Sequence, residues 1–315
     1  MTSEGSTSII LEDLTQPLQA FRTHLENVRD RVVFQSPVPS LCKSEECIVG
    51  IDEAGRGPVL GPMVYGISYC VKSNDDTLKK LGCADSKSLT EEKREYIFTR
   101  LCGETEHCGW AVDIISPMHI SNCMLRRQKY SLNEISHGSA IALIKLLQSK
   151  GVNVCEVYVD TVGPPEKYEE KLSKIFPNIS IKVSKKADAI YPIVSAASIC
   201  AKVIRDLTLK NWNFSEKVKI NQENGWGSGY PGDPVTKTFL AENMDHVFGF
   251  PKIVRFSWST ADVILKENAA PVEWSDDEDN VDENTTTITS FFNSSNKPST
   301  HIFFKDRNLE TVNFL

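Results

Sequence analysis

Apolar and polar positions change their period several times along the chain, and each period predicts one type of element. Short apolar or alternating runs predict five strands, at 48–51, 63–71, 110–115, 155–160 and 179–183. Runs with apolar residues every three or four positions predict helices, at 91–102, 131–149, 166–176, 189–211, 235–243 and 260–266. This alternation predicts an α/β protein, and the tight connection between the first two strands predicts that they pair antiparallel.

The first 44 residues lack this regular pattern. They contain one weak helical stretch at 18–32 and a proline-bearing linker at 36–40. We therefore expect 1–44 to be a partly ordered arm, which leads into a central domain at 45–268.

The last residues, 269–315, differ in composition from the central domain. Residues 273–283 are acidic and poor in apolar side chains, which is typical of disorder. Apolar and aromatic residues return at 285–292 and again at 301–315. Because aromatic residues in an acidic tail are rarely left exposed, we expect this tail to be partly disordered and to dock on a partner.

Composition and charge narrow the classes of partner. No apolar run reaches the ~18 residues that a membrane-spanning helix needs, so no membrane partner is expected. The nine cysteines are scattered without a CxxC pair, which is typical of reduced thiols inside a cell. The net charge is −7, but the excess of acids lies at the ends: 1–44 hold five acids and four bases, 270–315 hold nine and three, and 45–269 hold 28 of each. If four central acids bound cations, the rest of the domain would be basic by about four charges, which is compatible with phosphate contacts.

The stretch after the first predicted strand combines most of the candidate chemistry. The strand ends in two adjacent carboxylates, Asp52 and Glu53, and a Gly55-Arg56-Gly57 turn follows at once. Burying two carboxylates is unfavourable unless a cation neutralises them. Glycines allow a ligand to approach the backbone closely. The stretch therefore favours a metal beside a polar substrate, although an arbitrary Asp-Glu pair is most often simply solvated.

Two further carboxylates lie at the ends of predicted elements. Asp160 ends the 155–160 strand, and Asp188 stands at the front of the 189–211 helix. Strand–helix alternation brings such ends to one edge of a sheet. Four converging carboxylates cannot all stay ionised without cations, and two magnesium ions ~3.5–4 Å apart would satisfy them and clamp a phosphodiester for in-line displacement. Taken alone, Asp188 is explained more simply as an acid that stabilises a helix N-terminus.

Three cations and one aromatic residue have two interpretations each. Lys87 lies in a loop, and Lys202 and Arg205 lie one turn apart on a predicted helix. Each of these cations is either solvated or in contact with a phosphate. Tyr230 lies in the glycine- and proline-rich loop 227–234, where an aromatic residue is more often a packing residue than a platform for a ligand.

Six motifs within 45–268 together point to one family. They are GIDEAGRGPVLGPMVYG at 50–66, DSKSL at 85–89, VYVDTVGPP at 157–165, KKADAIYPIVSAASICAKVIRD at 185–206, GSGYPGDP at 227–234 and VRFSWST at 254–260. With these motifs the chain resembles the type 2 ribonuclease H family, in particular its eukaryotic catalytic subunits. The tail segments ITSFF at 288–292 and HIFFKDRNLETVNFL at 301–315 resemble the end of the animal members more loosely.

The resemblance implies an α/β fold of the ribonuclease H-like type. This fold is a mixed five-stranded sheet flanked by helices, with a helical C-terminal extension. The resemblance also implies that Asp52, Glu53, Asp160 and Asp188 bind two Mg²⁺ ions, with Mn²⁺ as the alternative ion.

The implied reaction is hydrolysis on the 5′ side of a ribonucleotide within a duplex, which leaves a 3′-hydroxyl and a 5′-phosphate. The implied substrates are single ribonucleotides embedded in DNA and the RNA strand of RNA–DNA hybrids. The Gly55-Arg56-Gly57 backbone would read the ribose 2′-hydroxyl, and Tyr230 would stack on the neighbouring sugar. A site built to bond a hydroxyl rejects the analogue that lacks it, because the site's own polar groups are then left unpaired. We assign Lys87, Lys202 and Arg205 to phosphate contacts.

The resemblance also implies partners. Eukaryotic members of this family work as a heterotrimer with two non-catalytic subunits, and a nuclear location follows from the resemblance alone. The tail has a second interpretation, since Ile288, Phe291 and Phe292 have the spacing of a box that binds a sliding clamp. Thr285 stands where that box has glutamine, so docking on the other subunits is the preferred interpretation.

Two other classes of function compete with a magnesium-dependent endoribonuclease. One is a nucleic-acid-binding scaffold with an idle nuclease site, which is disfavoured because no expected ligand residue is missing. The other is a carboxylate nuclease that acts on DNA, which is disfavoured by the glycine turn. Comparing ribonucleotide-bearing duplex with all-DNA duplex separates these classes.

Overall fold

The elements that the hydrophobic pattern predicts assemble around one mixed sheet. The computed structural model describes residues 7–12, 14–25, 31–83, 89–128, 130–161 and 163–271. Its strands are β1 (Thr7–Ile10), β2 (Arg31–Gln35), β3 (Cys47–Ala54), β4 (Met63–Val71), β5 (Cys108–Ile115), β6 (Val154–Asp160) and β7 (Ser180–Ser184). They form a seven-stranded sheet in the order β1-β2-β5-β4-β3-β6-β7.

Helices connect and cover these strands. Within the described ranges they are α1 (Pro17–Leu25), α2 (Leu41–Ser44), α3 (Asp75–Leu81), α4 (Glu91–Gly103), α5 (Pro117–Leu125), α6 (Leu132–Ser149), α7 (Pro165–Ile175), α8 (Ala187–Ile190), α9 (Pro192–Lys210), α10 (Pro234–Glu242) and α11 (Ser259–Asn268). The local sequence explains several of their starts. For example, the Thr90 side chain accepts the N–H of Lys93 at the start of α4, and Ser131 and Glu134 form a capping box at the start of α6.

The five predicted strands are β3 to β7, and they form the centre and one edge of the sheet. The strand β3 pairs antiparallel with β4, as predicted, and parallel with β6. The α/β class and the mixed sheet flanked by helices are confirmed. The strand number is seven rather than five.

The two additional strands come from the segment where the sequence predicts only a weak helix over 18–32. That helix ends earlier, as α1, and β2 pairs antiparallel with β5 while β1 pairs parallel with β2. An ion pair to a buried carboxylate fixes β2, because Arg31 Nη2 lies 2.5 Å from a carboxylate oxygen of Asp113 on β5. The Ser139 hydroxyl donates to the same carboxylate at 2.5 Å. Strands of four or five residues give only a short sequence pattern. Their conformation is decided by pairing at the edge of the sheet more than by local preference.

One helix, α9, covers the centre of one sheet face at very close range. A Cβ atom at Gly50 would overlap the carbonyl of Ile193, and a Cβ atom at Gly66 would overlap the carbonyl of Ala197. The glycines of β3 and β4 therefore set the distance between this helix and the sheet. The buried side chains of α6 and α7 pack on the opposite face, so the sheet lies between two helical layers.

The long helix predicted over 189–211 is wrong at its start. The chain forms the short helix α8, then an extended residue, Tyr191 (φ −112°, ψ 115°), and then α9. The break has a local cause, since Pro192 cannot donate a backbone hydrogen bond and disfavours a helical conformation in the residue before it. Asp188 consequently lies in α8, not at the front of the long helix.

The C-terminal helical extension is confirmed and has its own small core. Residues of α10, α11 and the segment after Phe250 pack on Val59 and Leu60, and Leu60 forms an isolated bridge with Val254. The compact unit ends at Ala269, and the predicted partner-binding tail lies outside the described residues from 272 onward. None of the helices in the described ranges is both long and apolar enough to span a lipid bilayer.

Candidate active site

The end of β3 directs its two carboxylates to opposite faces of the sheet, because consecutive strand residues alternate. Asp52 is only 5% exposed and lies on the α9 face, where the Ser198 hydroxyl bonds its carboxylate. Glu53 lies on the face covered by α6 and α7, where the Tyr65 hydroxyl bonds it. One strand end thus offers acid groups on both sides of the sheet.

The neighbouring strand and the short helix α8 supply the other two predicted carboxylates. Asp160 ends β6, whose parallel register sets it beside Asp52. Its Oδ1 accepts the N–H of Ala187, the first residue of α8, at 2.9 Å. Asp188, which is 2% exposed, follows directly. The backbone therefore brings all four predicted carboxylates to the same end of two adjacent strands.

These carboxylates repel one another in a buried setting. Burial raises the pKa of Asp52 well above its ordinary value, and the charges of Glu53 and Asp160 raise it further. Burial, together with the charge of Asp160, also raises the pKa of Glu53 to about 7, although Arg56 and Tyr65 oppose the shift. The ionised forms are thus disfavoured until a cation is present.

The donor set fits a hard divalent cation. Carboxylate oxygens are the ligands that Mg²⁺ and Mn²⁺ prefer, and a divalent cation would relieve the repulsion between Asp52, Glu53 and Asp160. In the part of the chain that the structure describes, no group of three or more His, Cys, Asp or Glu side chains is arranged so that it could hold a metal ion by itself. Mg²⁺ is usually held by one or two carboxylates and by substrate phosphates rather than by an all-protein cage, so the fit rests on donor type and charge.

The Gly55-Arg56-Gly57 turn follows the carboxylates and requires its first glycine. Gly55 has a φ of +78°, and a Cβ atom there would overlap the side chain of Arg205 and lie 2.7 Å from the carbonyl of Pro62. Among the described residues, none accepts a hydrogen bond from the three N–H groups of this turn. The three N–H groups of the turn are therefore available to a ligand.

Two residues of the C-terminal extension fix this turn through hydrogen bonds to its carbonyl groups. The guanidinium of Arg255, which is fully buried, donates to the carbonyls of Gly55 at 2.5 Å and Arg56 at 3.0 Å. The Trp258 indole donates to the carbonyl of Gly57 at 3.0 Å, and the guanidinium of Arg255 lies 4.7 Å from its ring centroid. The sequence analysis missed both roles. A lone arginine between apolar residues in the VRFSWST motif was the available signal, because a buried guanidinium must donate to carbonyls or carboxylates.

Tyr230 lies beside the same turn. A Cβ atom at Gly57 would contact its ring at 3.3 Å, and the tyrosine remains 54% exposed. Asp233 fixes its loop, because the Asp233 carboxylate accepts the N–H of Ser228 at 2.6 Å and the hydroxyl of Ser228 at 2.7 Å. These hydrogen bonds lower the pKa of Asp233 to about 2. The ring of Tyr230 therefore lies more than half exposed beside the turn, and its stacking on a sugar stays a prediction.

The predicted phosphate contacts differ in their surroundings. Lys87 lies outside the described residues. Lys202 lies on α9 four residues after Ser198 and hence on the face toward Asp52. The Arg205 guanidinium donates to the carbonyls of Pro62 and Leu60 at 3.2 and 3.4 Å, so its present contacts support the backbone after the glycine turn. Its phosphate role stays a prediction.

Arg56 extends from the turn to the start of α6. Its guanidinium donates to the Ser136 hydroxyl at 2.5 Å and to the side-chain carbonyl of Asn133. The arginine thereby links the turn to the helical layer on the Glu53 face. The motif alone did not indicate these two partners.

Comparison with known proteins agrees with this geometry. The sequence pattern of the family Ribonuclease HII matches residues 49–261. The chain is 49% identical over 290 residues to a ribonuclease H2 subunit of Bos taurus, with 90% of this chain and 96% of that protein covered. It is 53% identical over 235 residues to the corresponding ribonuclease H2 subunit of Arabidopsis thaliana, with 75% and 78% covered.

Solved structures give the same result. The ribonuclease H2 of Pyrococcus horikoshii is similar with a TM-score of 0.58 and 34% identity, and 70% of this chain and 98% of that chain are covered. The RNase HII in the PCNA:RNase HII complex of Archaeoglobus fulgidus is similar with a TM-score of 0.56 and 31% identity, with 73% and 99% covered. Enzymes of the ribonuclease H family are metal-dependent. From its motifs, its sheet and these relatives, the chain belongs to the ribonuclease HII family and is a ribonuclease H.

Proposed function

We infer that this ribonuclease H hydrolyses the phosphodiester on the 5′ side of a ribonucleotide in duplex, and that it leaves a 3′-hydroxyl and a 5′-phosphate. Its substrates are single ribonucleotides embedded in DNA and the RNA strand of RNA–DNA hybrids. One observation carries the proposal: four carboxylates at one end of β3, β6 and α8 lie beside a glycine turn that presents bare N–H groups.

The residues that would hold the metal are Asp52, Glu53, Asp160 and Asp188. Two Mg²⁺ ions are proposed, with Mn²⁺ as the alternative. When bound, such ions supply a polarised phosphoryl group and an activated water at neutral pH. Without them, burial and repulsion keep Asp52 and Glu53 from ionising fully, so metal binding and ionisation of these residues are linked.

The glycine turn supports selection of a ribose. Arg255 and Trp258 donate to its carbonyls, so the turn keeps one conformation while its N–H groups stay available to a ligand. A 2′-hydroxyl can accept from such a group, and a deoxyribose cannot. The exposed ring of Tyr230 beside Gly57 then stacks on the neighbouring sugar.

The test compares three duplexes with the wild-type chain and Asp52→Asn in Mg²⁺. The duplexes contain one ribonucleotide, an RNA strand opposite DNA, or DNA alone. Wild type should cut the first two on the 5′ side of ribose, and Asp52→Asn should cut neither while it still folds, as a cooperative urea transition shows. Full activity of Asp52→Asn, or equal cutting of all-DNA duplex, would contradict the proposal. Binding without metal-dependent cutting would favour a scaffold function.

For the tail we propose docking on two non-catalytic subunits of a heterotrimer. The Bos taurus relative is named as one subunit of ribonuclease H2, which supports the presence of others. The Archaeoglobus fulgidus neighbour is a complex with PCNA, so contact with a sliding clamp through Ile288, Phe291 and Phe292 is the second candidate. Deletion after residue 285 should abolish co-purification with the other subunits. Unchanged co-purification with lost clamp binding would favour the second candidate.

A nuclear location is proposed for the same reason, namely the likeness to eukaryotic type 2 enzymes. Imaging of the tagged full-length chain in its own cells tests it. Exclusion from the nucleus would contradict it.

A further inference from the structure

A cleft of about 330 Å³ opens on the α6 and α7 side of the carboxylates. Glu53 and Asp160 form one wall, and Lys167, Tyr168 and Lys171 of α7 form another. The reaction as described above uses the carboxylates and the glycine turn, but it assigns no role to the α7 wall.

The hydroxyl of Tyr168 is the first indication of a ligand. The side chain is 6% exposed, and among the described residues its hydroxyl has no hydrogen-bond partner. Tyr168 lines the same cleft as Glu53 and Arg56, and the charges of both act on its hydroxyl. A buried hydroxyl left unpaired is unfavourable, so an external acceptor would stabilise it.

Two lysines supply positive charge next to this hydroxyl. Lys167 and Lys171 are four residues apart on α7, so they lie one turn apart on the same face. Within the described ranges, no ion pair links either lysine to a carboxylate. Glu134 also lines the cleft, but its carboxylate accepts the N–H and the hydroxyl of Ser131 at 2.7 and 2.8 Å.

His137 directs one of the lysines and adds no charge itself. Its ring stacks on Tyr168 with centroids 3.8 Å apart, and its Nδ1 lies 3.4 Å from Nζ of Lys171. Burial first, and then the charges of Lys171 and Arg56, lower the pKa of His137 to about 4. The imidazole is therefore neutral at neutral pH, and Nδ1 can accept from the ammonium.

We propose that this cleft binds a backbone phosphate of the cleaved strand, with the Tyr168 hydroxyl donating to a phosphate oxygen and Lys167 and Lys171 supplying the charge. The proposal rests on the proposed function, since a strand whose reacting phosphodiester lies at the carboxylates carries further phosphates on either side. An oxyanion satisfies three donors that have no acidic partner. Arg56 stays bonded to Ser136 and Asn133 at the entrance and adds to the positive field.

The test is the salt dependence of binding to a duplex with one ribonucleotide, measured by fluorescence anisotropy with the full-length chain in EDTA. Lys167→Gln/Lys171→Gln should reduce the slope of log affinity against log salt by about one, because one phosphate contact is lost. Lys167→Arg/Lys171→Arg should restore the slope. Lys145→Gln/Lys150→Gln removes the same charge about 12 Å or more along α6 from His137 and should leave the slope nearly unchanged.

Tyr168→Phe separates the hydroxyl from the charge. It should weaken binding roughly tenfold or more at every salt concentration, as expected for a hydrogen bond to a charged group, and keep the wild-type slope. Replacing single phosphates by uncharged methylphosphonates should identify one position near the ribonucleotide where wild type loses affinity and the lysine double variant loses nothing further.

Equal slopes for wild type and Lys167→Gln/Lys171→Gln, or equal methylphosphonate losses at every position, would overturn the phosphate site. These results leave the proposed function intact if wild type still cuts beside ribose. A wild-type chain that binds the duplex but cuts all-DNA equally well contradicts the proposed function, while the slopes still decide the phosphate site. A chain that does not bind the duplex overturns both.

Discussion

Replacing Glu53 by glutamine should stabilise the metal-free protein while it removes activity. Burial and Asp160 raise the pKa of Glu53 to about 7, against an ordinary 4.5. Folding the chain with this carboxylate ionised is therefore unfavourable. Glutamine keeps the shape of the side chain and cannot ionise, so Glu53→Gln removes the penalty together with a proposed metal ligand.

The pH window follows from the two pKa values. The unfolded chain releases this proton near pH 4.5 and the folded chain near pH 7, so between them the folded state binds more protons. The free energy of unfolding of wild type therefore decreases as pH rises through this window. At ~1.4 kcal/mol per pKa unit, the difference amounts to about 3 kcal/mol above pH 7, and the contribution is absent below pH 4.5.

The assay is urea unfolding of the full-length chain between pH 4 and pH 9 in EDTA, repeated with Mg²⁺. Glu53→Gln should match wild type near pH 4 and exceed it by up to about 3 kcal/mol at pH 8. Mg²⁺ should stabilise wild type more than the variant, because only wild type retains the full ligand set. Glu170→Gln is the control, since Glu170 is exposed on α7 and pairs with Lys174.

A gap between Glu53→Gln and wild type that is equal at pH 4 and pH 8 would refute the reasoning. So would a variant that is less stable than wild type at pH 8. Either result would mean that Glu53 is not held in the buried, repelled state described above.

Three further predictions concern residues that hold the glycine turn or the sheet in place. Arg255→Lys should unfold at lower urea and cut more slowly, with a loss of a few kcal/mol, because the ammonium lacks the planar fork with which the guanidinium donates to the carbonyls of Gly55, Arg56 and Gly61. Gly55→Ala should lower kcat/KM and cost more than about 1 kcal/mol of stability, whereas Gly151→Ala, with a φ of +82° and no atom within 4 Å, should cost only the backbone strain. Arg31→Met should cost about 3–5 kcal/mol in urea unfolding because it leaves the buried Asp113 without its cationic partner and with only the Ser139 hydroxyl as donor, and the additional change Asp113→Leu should recover much of it.

Each of these predictions has an outcome that contradicts it. Wild-type cutting by Arg255→Lys would mean that the turn keeps its shape without the guanidinium. Equal losses for Gly55→Ala and Gly151→Ala would mean that the contact with Arg205 is unimportant. No recovery in the Arg31/Asp113 double variant would mean that the cost does not come from an unpaired charge.

Periodicity and single residues predicted most of the central elements. The strand Met63–Val71 has its predicted bounds, and the helix after Ser131 begins with the cap that its sequence provides. These elements depend on contacts between residues close in sequence, so their patterns are readable without the fold. The break at Pro192 could also have been predicted from the sequence, because proline alone enforces it. The small apolar residues that follow it instead led to the prediction of one continuous helix.

The partners of the site residues were not readable in this way. Arg255 lies 200 residues from Gly55, and Arg31 lies 82 residues from Asp113. Their hydrogen bonds exist only because the sheet and the C-terminal extension bring distant segments together. The two N-terminal strands were unreadable for the same reason, since β2 forms by pairing with β5 and β1 forms by pairing with β2.

By itself, the sequence determined the order of the strands from β3 to β7 and of most helices between and after them, the family, and the carboxylates that end β3 and β6. The tertiary structure alone decided which helical layer covers Asp52 and which covers Glu53, and that buried donors fix the glycine turn. It also decided that a tyrosine hydroxyl without a partner among the described residues and two lysines share a cleft beside the acids. The physical reason is that the pattern of apolar and polar residues in a segment depends only on which of its own side chains are buried. Charge repulsion, close packing and unpaired donors depend instead on which segments contact one another in the fold.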